Sequence, residues 1–139
     1  MEIHYTTLFL VTFVQFIFGA LWYSPLLFGK QWMDSMGTTH VSPEEIKKMQ
    51  KSMMPFYILQ FAMTLGTNIV LFLFMRLLPL TGALSLASLI WIAFFVPTQI
   101  SGVIWGNTPK KKWLQQILIM ISFQLLSLLF AGFIFGGKI

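Results

Sequence analysis

Residues 113–135 read WLQQILIMISFQLLSLLFAGFIF, and no charged side chain interrupts them. The hydrocarbon core of a bilayer is about 30 Å thick, so a helix that crosses it needs roughly 20 mostly apolar residues. Three more stretches of this kind lie at residues 5–28, 55–78 and 82–105, and Arg76 is the only charged residue within them. We therefore predict an all-α integral membrane protein, a bundle of four transmembrane helices.

The composition of the whole chain supports this interpretation. Of its 139 residues, 57% are hydrophobic and 9% are charged, and the mean hydropathy is +0.80. A typical soluble domain is about 25% charged. The composition therefore excludes a soluble enzyme, a disordered chain and, despite a net charge of +5, a nucleic-acid-binding domain. The chain has no cysteine, which excludes disulfides and thiolate metal sites. We expect residues 1–139 to form a single membrane domain.

The distribution of basic residues predicts the orientation in the membrane. Arg76 and Lys138 fall on one side, whereas the loops on the other side carry seven lysines. These are Lys30, Lys47, Lys48, Lys51, Lys110, Lys111 and Lys112. Because translocation of Lys and Arg is disfavoured, we predict that loops 29–54 and 106–112 face the cytoplasm. Both termini would then lie outside, and the protein would reside in the inner (plasma) membrane.

The first of these loops contains a helix signal. Residues 42–45 read SPEE, which places an N-cap serine before a proline at the first helical position and an acid three residues after the cap. Apolar residues follow at Ile46, Met49 and Met53. This pattern predicts a short amphipathic cytoplasmic helix between spans 1 and 2. A solvated connector that merely lengthens the second helix is an equally good interpretation.

The segment after the first span has the most distinctive sequence in the chain. Residues 19–32, here called the aromatic motif, read GALWYSPLLFGKQW and contain the pattern W-Y-x-P-x-x-F-G-K-x-W. This pattern resembles the signature of a bacterial membrane-protein family that is catalogued only as a domain of unknown function. Residues 105–110, which read WGNTPK, resemble the closing segment of that family. The resemblance implies a compact four-helix membrane protein and assigns no activity.

Two interpretations of the aromatic motif remain open. Pro25 frees a backbone carbonyl one turn earlier, and Gly19 and Gly29 permit close backbone approach. The aromatic side chains suit the headgroup level of the membrane. The motif is then either a kinked helix end held at the interface, or a gate or binding rim at the cytoplasmic mouth of a site. Its candidate residues are Gly19, Trp22, Tyr23, Pro25, Gly29, Lys30 and Trp32.

Every predicted span also carries glutamine. An amide without a partner in hydrocarbon is costly, so we expect these side chains to face one another. They either join the helices by hydrogen bonds or line a neutral path or pocket for a small solute. Because the spans contain no carboxylate, and no histidine near mid-depth, proton-coupled transport is disfavoured. The candidate cluster is Gln15, Gln60, Thr64, Asn68, Gln99 and Gln124.

Small residues spaced four apart predict close contacts between helices, because such pairs associate apolar helices. The pairs are Ala83 and Ala87, Gly102 and Gly106, and Gly132 and Gly136. Four helices from one chain enclose little space. We therefore expect a homo-oligomer, with any conducting path at the interface between its copies.

We predict a non-enzymatic protein without metal or cofactor. His4 and His40 should lie on opposite sides of the membrane, and no acid in the first loop has a nucleophile–base partner. The leading hypothesis is a self-associating protein of the lipid bilayer that binds or passes a small uncharged or cationic solute of unknown identity. The alternative is a structural or assembly subunit that docks a membrane partner or a lipid headgroup.

Cysteine substitution can test the predicted orientation, because the natural chain has no cysteine. We expect His40→Cys, in the first loop, to resist a membrane-impermeant thiol reagent in intact cells and to react once the cells are opened. Thr81→Cys, in the short connection between the second and third spans, should react in intact cells. The reverse pattern would overturn the orientation.

Overall fold

The computed structural model describes residues 5–137, and this range contains four helices long and apolar enough to cross a membrane. They are Tyr5–Trp22, Met54–Leu77, Ala83–Ile104 and Lys110–Gly136. No strand occurs within the described residues. The prediction of an all-α protein with four transmembrane helices is therefore confirmed. His4 and Lys138, which entered the predictions above, lie outside the described residues.

Shorter elements connect or interrupt the four spans. In chain order the helices are α1 (Tyr5–Trp22), α2 (Gly29–Ser35), α3 (Pro43–Ser52), α4 (Met54–Leu77), α5 (Ala83–Ile90), α6 (Val96–Ile104) and α7 (Trp113–Gly136). A π-helical segment, Trp91–Phe95, joins α5 to α6 within the third span. A short 3-10 turn, Lys110–Lys112, precedes α7.

The first helix ends earlier than predicted, at Trp22 and not at residue 28. The carbonyl of Leu21 accepts hydrogen bonds from the backbone N–H and the hydroxyl of Ser24, at 3.1 and 2.7 Å. Pro25 follows, and proline both interrupts a helix and disfavours the helical conformation of the residue before it. The kinked-helix interpretation is thus replaced by a helix end followed by a turn.

The short helix predicted in the first loop is α3. The Ser42 hydroxyl accepts from the Glu45 N–H at 3.3 Å, and the Glu45 carboxylate accepts from the Ser42 N–H at 2.9 Å. These reciprocal bonds form the predicted capping box. Hydrogen bonds from the backbone and then from the hydroxyl of Ser42 also lower the pKa of the Glu45 carboxyl. Only Met53 separates α3 from α4.

The third span departs from regular α-helix just before Pro97. Proline lacks an N–H and clashes with the carbonyl four residues earlier, so an extra residue accommodated as a π-bulge relieves the conflict. The Thr98 hydroxyl donates to the Phe94 carbonyl at 2.6 Å, which supplies a partner within this irregular turn. The Trp91 indole N–H donates to the Ile121 carbonyl at 2.8 Å and thereby ties the third span to α7.

The hydrophobic core occupies the end of the bundle that lies away from the long loops. It contains Leu8, Val11, Leu71, Met75, Leu86, Ala87, Leu128, Ala131 and Phe135. These residues come from the first half of α1, the second half of α4, α5 and the second half of α7. The four spans therefore meet closely at this end.

Two of the three pairs of small residues face each other within this core. A Cβ atom on Gly132 would lie 3.2 Å from the Ala83 carbonyl oxygen and 3.3 Å from the Ala87 Cβ. One on Gly136 would lie only 2.6 Å from the Ala83 Cβ. The predicted close helix contact is confirmed for these pairs, which hold α5 against α7. A Cβ on Gly102, by contrast, would meet no atom within 4 Å.

Candidate functional site

A cavity of about 790 Å³, here called the solute cavity, lies between the spans at the end of the bundle near the loops. Its wall extends from the turn after α1 and Gln50 of α3 to Ser127 and Leu128 of α7. The structure brings all six members of the candidate polar cluster to this wall. They are Gln15, Gln60, Thr64, Asn68, Gln99 and Gln124.

The aromatic motif contributes to the same cavity at its loop end. The cavity-lining residues of the motif are Gly19, Ala20, Tyr23, Ser24 and Pro25, and the candidate residues among them are Gly19, Tyr23 and Pro25. Its other candidate residues lie outside the wall of the solute cavity, and these are Trp22, Gly29, Lys30 and Trp32. Part of the motif therefore contributes to the cavity wall, and part of it does not.

Gln15 and Asn68 form a buried hydrogen-bond network at the inner end of the solute cavity. The Gln15 Nε2 donates to the Ser127 carbonyl at 2.8 Å, and the Asn68 Nδ2 donates to the Gln15 Oε1 at 2.6 Å and to the Thr12 Oγ1 at 2.9 Å. The side chains of all four residues are buried. This network joins α1, α4 and α7, which is the helix-joining role considered above.

The other three glutamines of the polar cluster form no hydrogen bond between helices within the described residues. Within residues 5–137, the Gln60 side chain hydrogen-bonds only within its own helix, with its Nε2 3.5 Å from the Thr64 hydroxyl. Among the described residues, Gln99 and Gln124 form no side-chain hydrogen bond with the protein. Their amides therefore keep hydrogen-bonding capacity that water or a ligand could use. The helix-joining interpretation therefore holds for Gln15 and Asn68, and the pocket interpretation stays a prediction for the other members of the cluster.

The lining of the solute cavity is neutral. None of its described residues is acidic, basic or histidine, and the polar groups are amides and hydroxyls. Aromatic rings form much of the remaining wall, namely Phe16, Tyr23, Tyr57, Phe95 and Phe123. Such a surface offers hydrogen bonds to a neutral solute and ring faces to a cation. It offers no positive side chain to an anion.

The turn of the aromatic motif depends on Gly29. A Cβ atom at this position would lie 2.5 Å from the Tyr23 carbonyl oxygen and 2.5 Å from the Ser24 carbonyl carbon. The Gly29 N–H donates to the Ser24 carbonyl at 2.9 Å, and the Phe28 N–H donates to the Trp22 carbonyl at 3.0 Å. The chain folds back on itself so closely that only glycine fits at residue 29.

Aromatic packing fixes this turn against α7. Trp22, which was expected at the headgroup level, is instead 8% exposed and donates its indole N–H to the Ile119 carbonyl at 3.1 Å. Its ring centroid lies 4.5 Å from that of Phe28. The Tyr23 ring meets the edges of Trp32 and Phe123 at centroid distances of 5.0 and 5.6 Å. Burial of Trp22 thus supports the rim rather than anchoring it in lipid.

No sequence pattern predicted α2, which continues from this turn and packs on the start of α7. Asp34 of α2 forms an ion pair with Lys112. The Gln115 Nε2 donates to the Gln31 carbonyl at 3.2 Å. An acid in one predicted loop and a lysine cluster in the other were the only sequence signals for this contact. The two lysine-containing loops therefore meet at the same end of the bundle.

Replacing Gly29 tests whether the turn requires glycine. We expect Gly29→Ala to destabilise the protein by about 1–3 kcal/mol, since the added methyl collides with backbone atoms. The measurement is the midpoint of thermal unfolding in detergent. Gly66→Ala is the matched control, because a Cβ there meets nothing within 4 Å and alanine is favoured in a helix by about 0.5–1 kcal/mol. Equal midpoints for the two variants would contradict this account of the turn.

Comparison with known proteins agrees with the resemblance seen in the sequence. A family model described as "Protein of unknown function (DUF1761)" matches residues 6–136. No curated protein matches the chain, and no solved structure does. The family match includes the aromatic motif and nearly the whole of the four spans. The chain therefore belongs to the DUF1761 family of proteins of unknown function.

Proposed function

We propose that this protein is a non-enzymatic membrane protein that binds or passes a small uncharged or cationic solute in the solute cavity. The observation that carries the proposal is the group of glutamines Gln60, Gln99 and Gln124, which face a cavity of about 790 Å³ and form no hydrogen bond to another helix within the described residues. An amide without a partner at membrane depth is costly. A polar solute or water in the cavity would offset that cost.

The size and lining of the cavity support a small ligand. Cavities that bind small molecules typically measure about 300–1,000 Å³ and combine apolar walls with a few polar groups. The neutral amides would bind a hydroxyl or amide of the solute, and the aromatic rings would accept a cation. An anion would enter without any compensating charge, so it is the least suitable class of solute.

The aromatic motif would form the mouth of the site. Tyr23 and Pro25 line the loop end of the cavity together with Gln50 of α3. The lysines of both loops belong to this end of the bundle, and the bias of basic residues towards the cytoplasm leads us to propose that the mouth opens there. The protein would then lie in the inner membrane with both termini outside.

Cysteine labelling tests access to the solute cavity. We expect Gln124→Cys to react with a small cationic methanethiosulfonate reagent at least about tenfold faster than Leu126→Cys, because only a hydrated thiol forms the reactive thiolate. Leu126 lies on the same helix, is 46% exposed in the isolated bundle and does not line the cavity. An anionic methanethiosulfonate reagent should react with Gln124→Cys more slowly than the cationic reagent does.

Equal reaction of the two variants would show that the cavity is dry, and the proposal would then fail. The alternative function, a structural or assembly subunit that docks a membrane partner or a lipid headgroup, would be the one left.

Self-association is the second part of the proposed function. Ala83 and Ala87 already pack against Gly132 and Gly136 within the chain. Gly102 is exposed on α6, and a Cβ there would meet no atom within 4 Å. A second copy could therefore approach α6 closely at this position, as small residues allow in membrane helices.

A larger side chain at this position should prevent that approach. We expect light scattering in a mild detergent to give the mass of an oligomer for the natural chain and a lower mass for Gly102→Leu. Ala62→Leu, an equivalent change on the exposed surface of α4, should leave the mass unchanged. A monomeric natural chain would contradict self-association.

A further inference from the structure

A second cavity, of about 430 Å³ and here called the chain groove, lies between α4 and the third span. Apart from Thr67, its described lining residues are apolar. It shares four of them with the solute cavity, namely Met63, Thr67, Phe95 and Leu128. The solute cavity and the chain groove are therefore adjacent.

The shape of the chain groove follows from local sequence. Gly66 contributes no side chain to the groove, and the irregular π-helical segment carries Phe94 and Phe95 on the opposite wall. Along α4 the groove runs from Met63 to Phe74. At a rise of 1.5 Å per residue this is about 16 Å. That length is roughly half of the 30 Å hydrocarbon thickness of a bilayer, the depth of one leaflet.

We propose that the ligand is an uncharged single-chain amphiphile, with its polar head in the solute cavity and its hydrocarbon chain in the chain groove. This inference rests on the proposed function and adds the class of ligand to it. The amides of Gln60, Gln99 and Gln124 line the solute cavity, and Val70, Phe74 and Ile90 line the adjacent chain groove. The division between polar and apolar walls matches the division within such a molecule.

The location of the polar part favours an uncharged head. Gln60 lies six residues into α4, which is about 9 Å along the helix at 1.5 Å per residue. A charged group at this depth is costly, and no described lining residue could form an ion pair with it. A head rich in hydroxyl groups, such as glycerol, donates hydrogen bonds to amides and also accepts hydrogen bonds from them.

We expect the chain groove to select its ligand by the shape of the hydrocarbon chain rather than by its hydrophobicity. Lipid tails are as apolar as the groove, so a chain gains little from leaving the bilayer. Filling the groove should therefore exclude the amphiphile sterically. Leucine at Gly66 is suited to this, because a Cβ there meets no atom within 4 Å.

The experiment uses the full chain in lipid nanodiscs and a monododecanoylglycerol with a photoreactive diazirine on its chain. We expect crosslinks within residues 70–74 and 90–94, located by mass spectrometry, and their suppression by excess unlabelled monododecanoylglycerol.

Gly66→Leu should reduce these crosslinks about tenfold, since overpacking an occupied site is strongly unfavourable. Ala62→Leu is the control, because Ala62 is exposed on the same helix and lines neither cavity. Val70→Phe provides a second way to fill the groove if Gly66→Leu does not fold.

A short-chain analogue separates this inference from the proposed function. Monobutanoylglycerol has the same head and should protect Ala20→Cys, a variant at a cavity-lining residue that supplies no amide to the head, from the cationic thiol reagent. If it protects, but the crosslinks are not saturable or do not respond to filling the groove, the amphiphile inference is overturned and the solute site stands. If neither molecule protects and the cationic reagent still reaches the cavity, the uncharged head is overturned. If the cationic reagent does not reach the solute cavity, the proposed function fails as well.

Discussion

The close contact between α5 and α7 governs the shape of this bundle. Membrane helices gain no hydrophobic free energy by leaving lipid for one another, so their association depends on how closely their backbones can approach. Gly132 and Gly136 allow that approach to Ala83 and Ala87 at one end of the bundle. Towards the other end, bulky rings such as Phe95 and Phe123 line the space between the spans. A tight end and an open end follow from this difference in side-chain size.

The same difference divides the polar residues into two groups. Near the tight end, Gln15 and Asn68 approach closely enough to bond each other and the backbone of α7. In the wider part, the amides of Gln99 and Gln124 have no such partner among the described residues. Similar side chains in similar spans therefore serve different purposes, and their position along the bundle determines which. A cavity lined by unpaired amides is the strongest indication of function in this protein.

The aromatic motif combines a helix end, a turn and a support in a few residues. Pro25 follows the end of α1, and Gly29 allows the chain to fold back against the Tyr23 carbonyl. Trp22 and Phe28 pack on each other behind the turn. Because α2 follows at once and reaches Lys112 through Asp34, the turn also sets the position of the loops around the cavity mouth.

The sequence alone was sufficient to determine the number of spans, the capping box of α3 and membership of the DUF1761 family, because each depends on residues close together in the chain. It also indicated the polar residues of interest, since amides are rare and costly in hydrocarbon. Only the tertiary structure decided which amides are paired, why Trp22 is buried, and where the cavity lies. The bonds responsible join residues far apart in sequence, such as Gln15 to Ser127 and Trp22 to Ile119. Local patterns carry no information about the distance and angle between helices on which those bonds depend.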